Sequence, residues 1–232
     1  MVKRTATREI KFTPNINPYA AGSVLAEFGN TKVHITACIS DDVPPFLKGK
    51  GTGWITAEYG MLPGSTNERL QRERKGLSGR FHEIQRLIGR ALRAGIDLSL
   101  LGARSILIDC DVLVADGGTR TAAISGAYVA LVLAVRTLLR DGKISQDPIK
   151  EQLAAISVGI DASSFIYADL NYQEDSSFET DMNLVMTASG KFIEIQGTAE
   201  RGAFSPEQLW AMMICGKNAL SGIFAEQNRV LR

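Results

Sequence analysis

Arg104-Ser-Ile-Leu-Ile-Asp-Cys-Asp-Val-Leu-Val114, then Ala115-Asp-Gly-Gly118, then Thr119-Arg-Thr-Ala-Ala-Ile-Ser-Gly-Ala-Tyr-Val-Ala-Leu-Val-Leu-Ala-Val135: the first run has the branched, alternating character of a strand, the second is a turn, and the third is a long helix. A strand, a double-glycine turn and a helix aim the free amides of a first helical turn at whatever sits above them. Those amides carry roughly half a positive charge. Gly117 and Gly118 allow close approach to the backbone, and Arg120 adds a planar fork suited to phosphate. Gly118-Thr119-Arg120 is therefore the first candidate oxyanion site. The plainer reading is a strand–turn–helix with one exposed arginine.

The helix also indicates its surroundings. Ala122, Gly126, Ala130 and Ala134 recur every four residues and make a stripe of small side chains. Ile124, Tyr128, Leu131, Val135 and Leu138 occupy other faces, so the helix is apolar nearly all round and central. Its uncharged run, between Arg120 and Arg136, is fifteen residues, short of the roughly 20 that a bilayer needs. No membrane span is expected.

The chain has 232 residues, 45% of them hydrophobic and 22% charged, with 26 Lys and Arg against 25 Asp and Glu. That is an ordinary composition for a globular chain, and a formal charge of +1 gives no global attraction to nucleic acid. The start, Met1 to Glu9, lacks the apolar core of a signal peptide. Cys38, Cys110 and Cys215 lie far apart in apolar runs, which fits buried thiols in a reducing cytoplasm. With only His34 and His82 beside them, a zinc site is not expected; His34 reads as a strand histidine.

Local charge says more. From Thr66 to Arg93 there are eight Lys and Arg (69, 72, 74, 75, 80, 86, 90, 93) and three acids, net +5 in an almost neutral chain. The second half of this run is a helix with Ile84, Leu87, Ile88, Ala91 and Leu92 on one face. A solvated face would account for an average basic run. A second cationic cluster beside an oxyanion site instead favours RNA or another polyanion. Asp169 to Asp181 has the opposite bias, with five acids and no Lys or Arg. Asp175 and Asp181, with Asp169 as a further candidate, are placed to hold Mg²⁺ through oxygen ligands or to protonate a leaving hydroxyl. A solvated acidic loop is the alternative. No Walker lysine, nucleophile elbow or Ser-His pair offers a covalent intermediate.

Other expected elements are a hairpin over residues 22–40, a loop over 41–53 and a strand at Trp54–Tyr59. A short helix is expected to begin at Asp147-Pro148, with strands at 154–160 and 165–172. A hairpin follows at 182–187 and 192–196, then a C-terminal helix opened by the capping box Ser205-Pro-Glu-Gln208. The fold class expected is α+β: one domain over residues 1–232, two β-sheets with helices packed between them.

Five segments carry a resemblance. Phe46–Pro63, Glu83–Arg93, Asp109–Thr121, Glu179–Met186 and Glu194–Glu200 are similar, in order and over nearly the whole chain, to the ribonuclease PH family. The resemblance implies a phosphate-dependent 3′→5′ exoribonuclease that trims precursor tRNA, with rRNA as a further substrate, and a cytoplasmic homohexamer built as a trimer of dimers. By position it implies that Arg80, Gly118, Thr119 and Arg120 bind inorganic phosphate and that Asp175 and Asp181 lie at the catalytic centre, where one or the other would bind Mg²⁺ or protonate the departing 3′-oxygen. It assigns Arg69, Arg72, Arg74 and Lys75 to RNA. The chain departs from the family pattern in its short start, at Gly64 where arginine is frequent, and at Arg201-Gly202. Two rivals remain: an inert RNA-binding ring subunit, and a hydrolytic nuclease that releases monophosphates without needing phosphate.

Overall fold

The computed structural model describes residues 1–71 and 79–232. In chain order the strands are β1 (Val2–Arg4), β2 (Ile10–Pro14), β3 (Gly22–Phe28), β4 (Thr31–Ser40), β5 (Trp54–Met61), β6 (Ser105–Val114), β7 (Leu153–Ile160), β8 (Ile166–Ala168), β9 (Thr180–Thr187) and β10 (Phe192–Ala199). The helices are α1 (Gly79–Ala94), α2 (Thr119–Arg140), α3 (Tyr172–Ser177) and α4 (Pro206–Val230). The strands form two five-stranded sheets, ordered β2-β3-β4-β6-β5 and β1-β8-β7-β9-β10. Both are mixed, because β5 runs parallel to β6 and β1 parallel to β8.

α2 lies between the sheets, packing on β3 and β4 on one side and on β7 on the other. The small-residue stripe explains how close it comes. A Cβ on Gly126 would collide with Ile35 and Ala26, and one on Gly22 would run into the α2 backbone at Ala130. By length and composition α2 would pass for a membrane span, but 78% of its most apolar window is buried inside the protein. α1 and α4 also contact strands of both sheets, so the α+β layering expected from the sequence is present. The core is continuous from Phe12 and Phe28 through Ile124 and Leu131 to Leu184 and Ile223.

One buried polar knot ties α2, β7 and α4. Ser125 Oγ donates to Ala155 O at 3.2 Å and accepts from Ala155 N at 3.0 Å. Gln227 Nε2 donates to Ser125 O (2.9 Å) and Leu153 O (3.1 Å), while its Oε1 accepts from Gln152. Gln227 is wholly buried, so every one of these bonds is needed to offset its desolvation.

Three local expectations are corrected. No helix starts at Asp147-Pro148; Asp147 Oδ1 caps only the amide of Ile149 at 2.9 Å, and Ile149 then bridges to Ile96. The strand expected at 165–172 ends at Ala168, because Asp169 turns the backbone to φ +57°. The acidic stretch is not a plain loop: it contains α3, opened by a capping box in which Asn171 and Glu174 satisfy each other's amides. Two of the three cysteines are buried, whereas Cys38 is only half-buried on β4.

Candidate active site

The Ala115–Gly118 turn is braced from three directions. Thr31 Oγ1 donates to Gly117 O at 2.6 Å and accepts from Asp116 N at 2.9 Å. Arg8 Nη1 donates to Asp116 O at 2.6 Å. Asp116 accepts from Asn30 Nδ2 and Tyr172 N through its two carboxylate oxygens. Gly117 and Gly118 both have left-handed backbones, φ +73° and +63°, and a Cβ on Gly117 would strike the backbone of Leu170 and Asn171. Only glycine fits there without strain. Gly118 caps α2 with no side chain, so the first amides of the helix stay available to a ligand.

Thr119 and Arg120 follow on that first turn. Tyr59, at the inner end of β5, donates its hydroxyl to Thr119 Oγ1 at 2.8 Å and meets Phe81 edge-on at 5.7 Å. Burial pushes the Tyr59 phenol up, partly offset by its bond to Thr119 and the charges of Arg80 and Arg120, so it stays a donor. Arg120 Nη1 donates to Gln196 Oε1 at 2.7 Å and lies 3.8 Å from Glu83 Oε1. Arg80 stands on the first turn of α1, exposed, and its charge reaches both Tyr59 and Asp175.

The two sequence-nominated aspartates come to the same place from different elements. Asp175 is on α3. Asp181 is on β9, paired across the sheet with Thr198 of β10. Burial pushes the Asp175 carboxyl up; Arg120 and Arg80 pull it back, and Glu200 adds to the rise. Asp181 is also raised, by burial first and then by Asp175 and Glu200, with Arg120 opposing. Among the described residues neither side chain is ion-paired or hydrogen-bonded to another residue. Arg80, Thr119, Arg120, Asp175 and Asp181 thus form one cluster. Tyr59, Glu83, Gln196 and Glu200 belong to it and were not singled out by sequence; all four lie in the family-like segments, which was the available signal.

Asp169 does not join them. It is 0% exposed, and Arg8 takes both its oxygens: Nη2 to Oδ1 at 2.8 Å, and Nε and the backbone amide to Oδ2 at 3.1 and 2.8 Å. Three of its roughly four lone pairs are taken and the guanidinium lies against both oxygens, so it is a poor metal ligand. Its work is to seat Arg8 against the Ala115–Gly118 turn. Asp169→Ala is expected to lower stability by about 3 kcal/mol, because it strands a mostly buried guanidinium; a denaturation midpoint that puts the loss under about 1 kcal/mol would refute this. Arg69 is exposed on the segment leading to α1, and Arg72, Arg74 and Lys75 lie outside the described residues.

The fold is shared with distantly related solved chains. The structure superposes on rice (Oryza sativa) Rrp46 with TM-score 0.79 at 19% identity, covering 99% of this chain and 98% of that one. It superposes on a chain of the Archaeoglobus fulgidus exosome with RNA bound to the active site with TM-score 0.78 at 16% identity, covering 96% and 89%. In sequence, residues 6–136 match domain 1 and residues 151–219 match domain 2 of the 3′ exoribonuclease family. Ribonuclease PH of Neisseria meningitidis (serogroup C / serotype 2a) is 54% identical over 226 residues, 97% of this chain and 93% of the relative. Ribonuclease PH of Bacillus pumilus is 53% identical over 225 residues, 96% and 93%. The chain belongs to the 3′ exoribonuclease family, and within it to the phosphate-dependent ribonuclease PH group. It is a phosphorolytic 3′ exoribonuclease.

Proposed function

We propose that the Gly118–Arg120 turn and Arg80 hold inorganic phosphate while Asp175 and Asp181 act on the bond being broken. The observation that carries this is the meeting of two arginines, a helix start with no side-chain cap and two carboxylates that are unpaired among the described residues, in one cluster. Phosphate oxygen attacks the phosphorus of the last phosphodiester. The bond to the 3′-oxygen of the preceding nucleotide breaks, a nucleoside diphosphate leaves, and the shortened RNA ends in a 3′-hydroxyl. Arg80, Arg120 and the amides of Thr119 and Arg120 orient the nucleophile and spread its charge in the transition state. A charge-assisted bond contributes about 1.5–3 kcal/mol, so the set, rather than one arginine, holds the anion against water.

The departing 3′-oxygen needs a proton. Asp181 is raised by two other acids, Asp175 and Glu200, and opposed by Arg120 alone among the arginines, whereas Asp175 is opposed by both Arg120 and Arg80 and raised by Glu200 alone among the acids; we assign the proton to Asp181. With the proton kept on Asp181, the Asp175 carboxylate, without an ion pair among the described residues, is the one that fits a hard, oxygen-ligated Mg²⁺, which often takes only one or two carboxylates and keeps its waters. Such an ion would neutralise charge at the departing oxygen.

The substrate we propose is the 3′ end of precursor tRNA, with rRNA ends as further substrates. The tRNA body is guided by Arg69, Arg72, Arg74 and Lys75 through phosphate contacts that weaken as salt rises. We further propose a cytoplasmic homohexamer, a trimer of dimers, of a chain that folds as a single domain; the continuous core between the two sheets supports the last point. The test is a 3′-extended tRNA incubated with phosphate and Mg²⁺. Nucleoside diphosphates are expected, with none when phosphate is withheld. Monophosphate products without phosphate would support hydrolysis, and no release at all would support an inert ring subunit.

A further inference from the structure

Arg120 is held before any ligand arrives. Its Nη1 donates to Gln196 Oε1 at 2.7 Å, and Gln196 Nε2 donates in turn to Glu83 Oε1, whose charge lies 3.8 Å from the same Nη1. The three residues come from α2, β10 and α1. A second bond sets the register of this bridge. Arg90, seven residues beyond Glu83 and on the same face of α1, grips Glu194 with both arms at 2.7 and 2.5 Å. Glu194 is two residues from Gln196, on the same face of β10. α1 and β10 are therefore fastened at two rungs, and the inner rung ends on Arg120.

A guanidinium is planar and offers two distinct edges. Here one is occupied through Nη1, while Nε and Nη2 donate to no described residue. An arginine left to rotate would lose side-chain entropy on binding; one already fixed on its far edge loses less and presents a preset fork. We propose that Gln196 and Glu83 are positioning residues for Arg120: the Glu83–Gln196 bridge fixes its guanidinium so that the Nε–Nη2 edge is preset for inorganic phosphate. This rests on the reading of Arg120 as a phosphate ligand. Gln196 touches no reacting atom, so its effect falls on phosphate affinity and not on the chemical step.

The experiment compares steady-state phosphorolysis of a 3′-extended tRNA with calorimetric titration by inorganic phosphate. Gln196→Ala is expected to raise the phosphate KM and Kd about tenfold or more, with the RNA KM unchanged and kcat at saturating phosphate within about threefold. Glu83 is exposed on α1, so Glu83→Ala probes the same bridge without a packing loss, and a rise of about threefold is expected. The double exchange Glu83→Gln with Gln196→Glu keeps one carboxylate, one carboxamide and an acceptor facing Arg120. It is expected to return phosphate affinity to within about threefold of wild type, a rescue that a merely structural role does not predict. Arg120→Ala is the control. If it destroys phosphate binding while Gln196→Ala and Glu83→Ala bind phosphate normally, the bridge is overturned and the phosphate site stands. If Arg120→Ala itself binds phosphate normally, the phosphate reading fails and the bridge with it. A weakened Gln196→Ala that the double exchange does not rescue removes Glu83 from the bridge and overturns the proposal as stated.

Discussion

Arg120→Ala is expected to reduce kcat/KM for phosphate by roughly 10²- to 10⁴-fold, the equivalent of two charge-assisted bonds, while the folded structure survives. The second half of this expectation follows from where Arg120 sits. A cation on the first turn of a helix opposes the helix dipole by about 0.3–1 kcal/mol. Its neighbours Gln196 and Glu83, and the carboxylates of Asp175 and Asp181 whose charge it opposes, are all half-buried or exposed, so removal leaves no fully buried charge behind. The thermal midpoint of the variant should therefore equal or exceed that of wild type. Wild-type turnover at low phosphate would end the assignment. A large loss of midpoint would mean that Arg120 is held for the fold.

Asp181→Asn carries the second large effect, a loss of about 10²- to 10⁴-fold in kcat, the range for removing a general acid. Its stability should move the opposite way. The Asp181 carboxyl is raised in the fold by burial, Asp175 and Glu200. A carboxylate raised in this manner contributes stability that is fully present below its unfolded pKa, near 4, and is lost as pH rises through the higher folded value. Wild type should thus match Asp181→Asn in strong acid and fall behind it above that window. Denaturation curves at several pH values measure the gap. A variant less stable than wild type at neutral pH would show that ionised Asp181 is welcome in the fold, contrary to its assigned surroundings. Both substitutions follow one physical logic: groups arranged for an incoming phosphate and a departing oxygen are poorly arranged for one another when neither is bound.

Much of this was legible because it is local. Strand, double glycine and helix lie within 36 consecutive residues, Ser105–Arg140; the turn needs positive φ at both glycines, and the small-residue stripe announces close packing on a sheet. Arg120, Asp175 and Asp181 stood out by charge. What failed was what depends on distant partners. Asp169 looks like its acidic neighbours until Arg8, 161 residues earlier in the chain, is seen to consume it. Gln196 is an unremarkable polar residue on an alternating strand, and only the docking of β10 beside α1 gives it Arg120. Tyr59 reads as a core aromatic, which it also is; its hydroxyl matters because Thr119 is at the end of it. The short α3 was hidden by its charge, although Asn171 and Glu174 have the spacing of a capping pair. Asp147-Pro148 shows the reverse error, a valid helix-start signal that tertiary pairing of Ile149 with Ile96 redirects.

The distances in sequence have a consequence for a chain still being made. Arg4 on β1 reaches Glu174 on α3 across 170 residues with two bonds of 2.7 Å, and Arg120 waits for Gln196, 76 residues later. A growing polypeptide emerges from one end, so Arg4 and Arg120 must wait for these partners until residues 174 and 196 have emerged. A nascent chain stalled before residue 196 is expected to show no phosphorolysis, and activity in such a chain would contradict the assembly order read from these contacts. The contacts that order the arginines of an RNA-shortening enzyme thus come late in the order of synthesis, after residues 174 and 196 have been made.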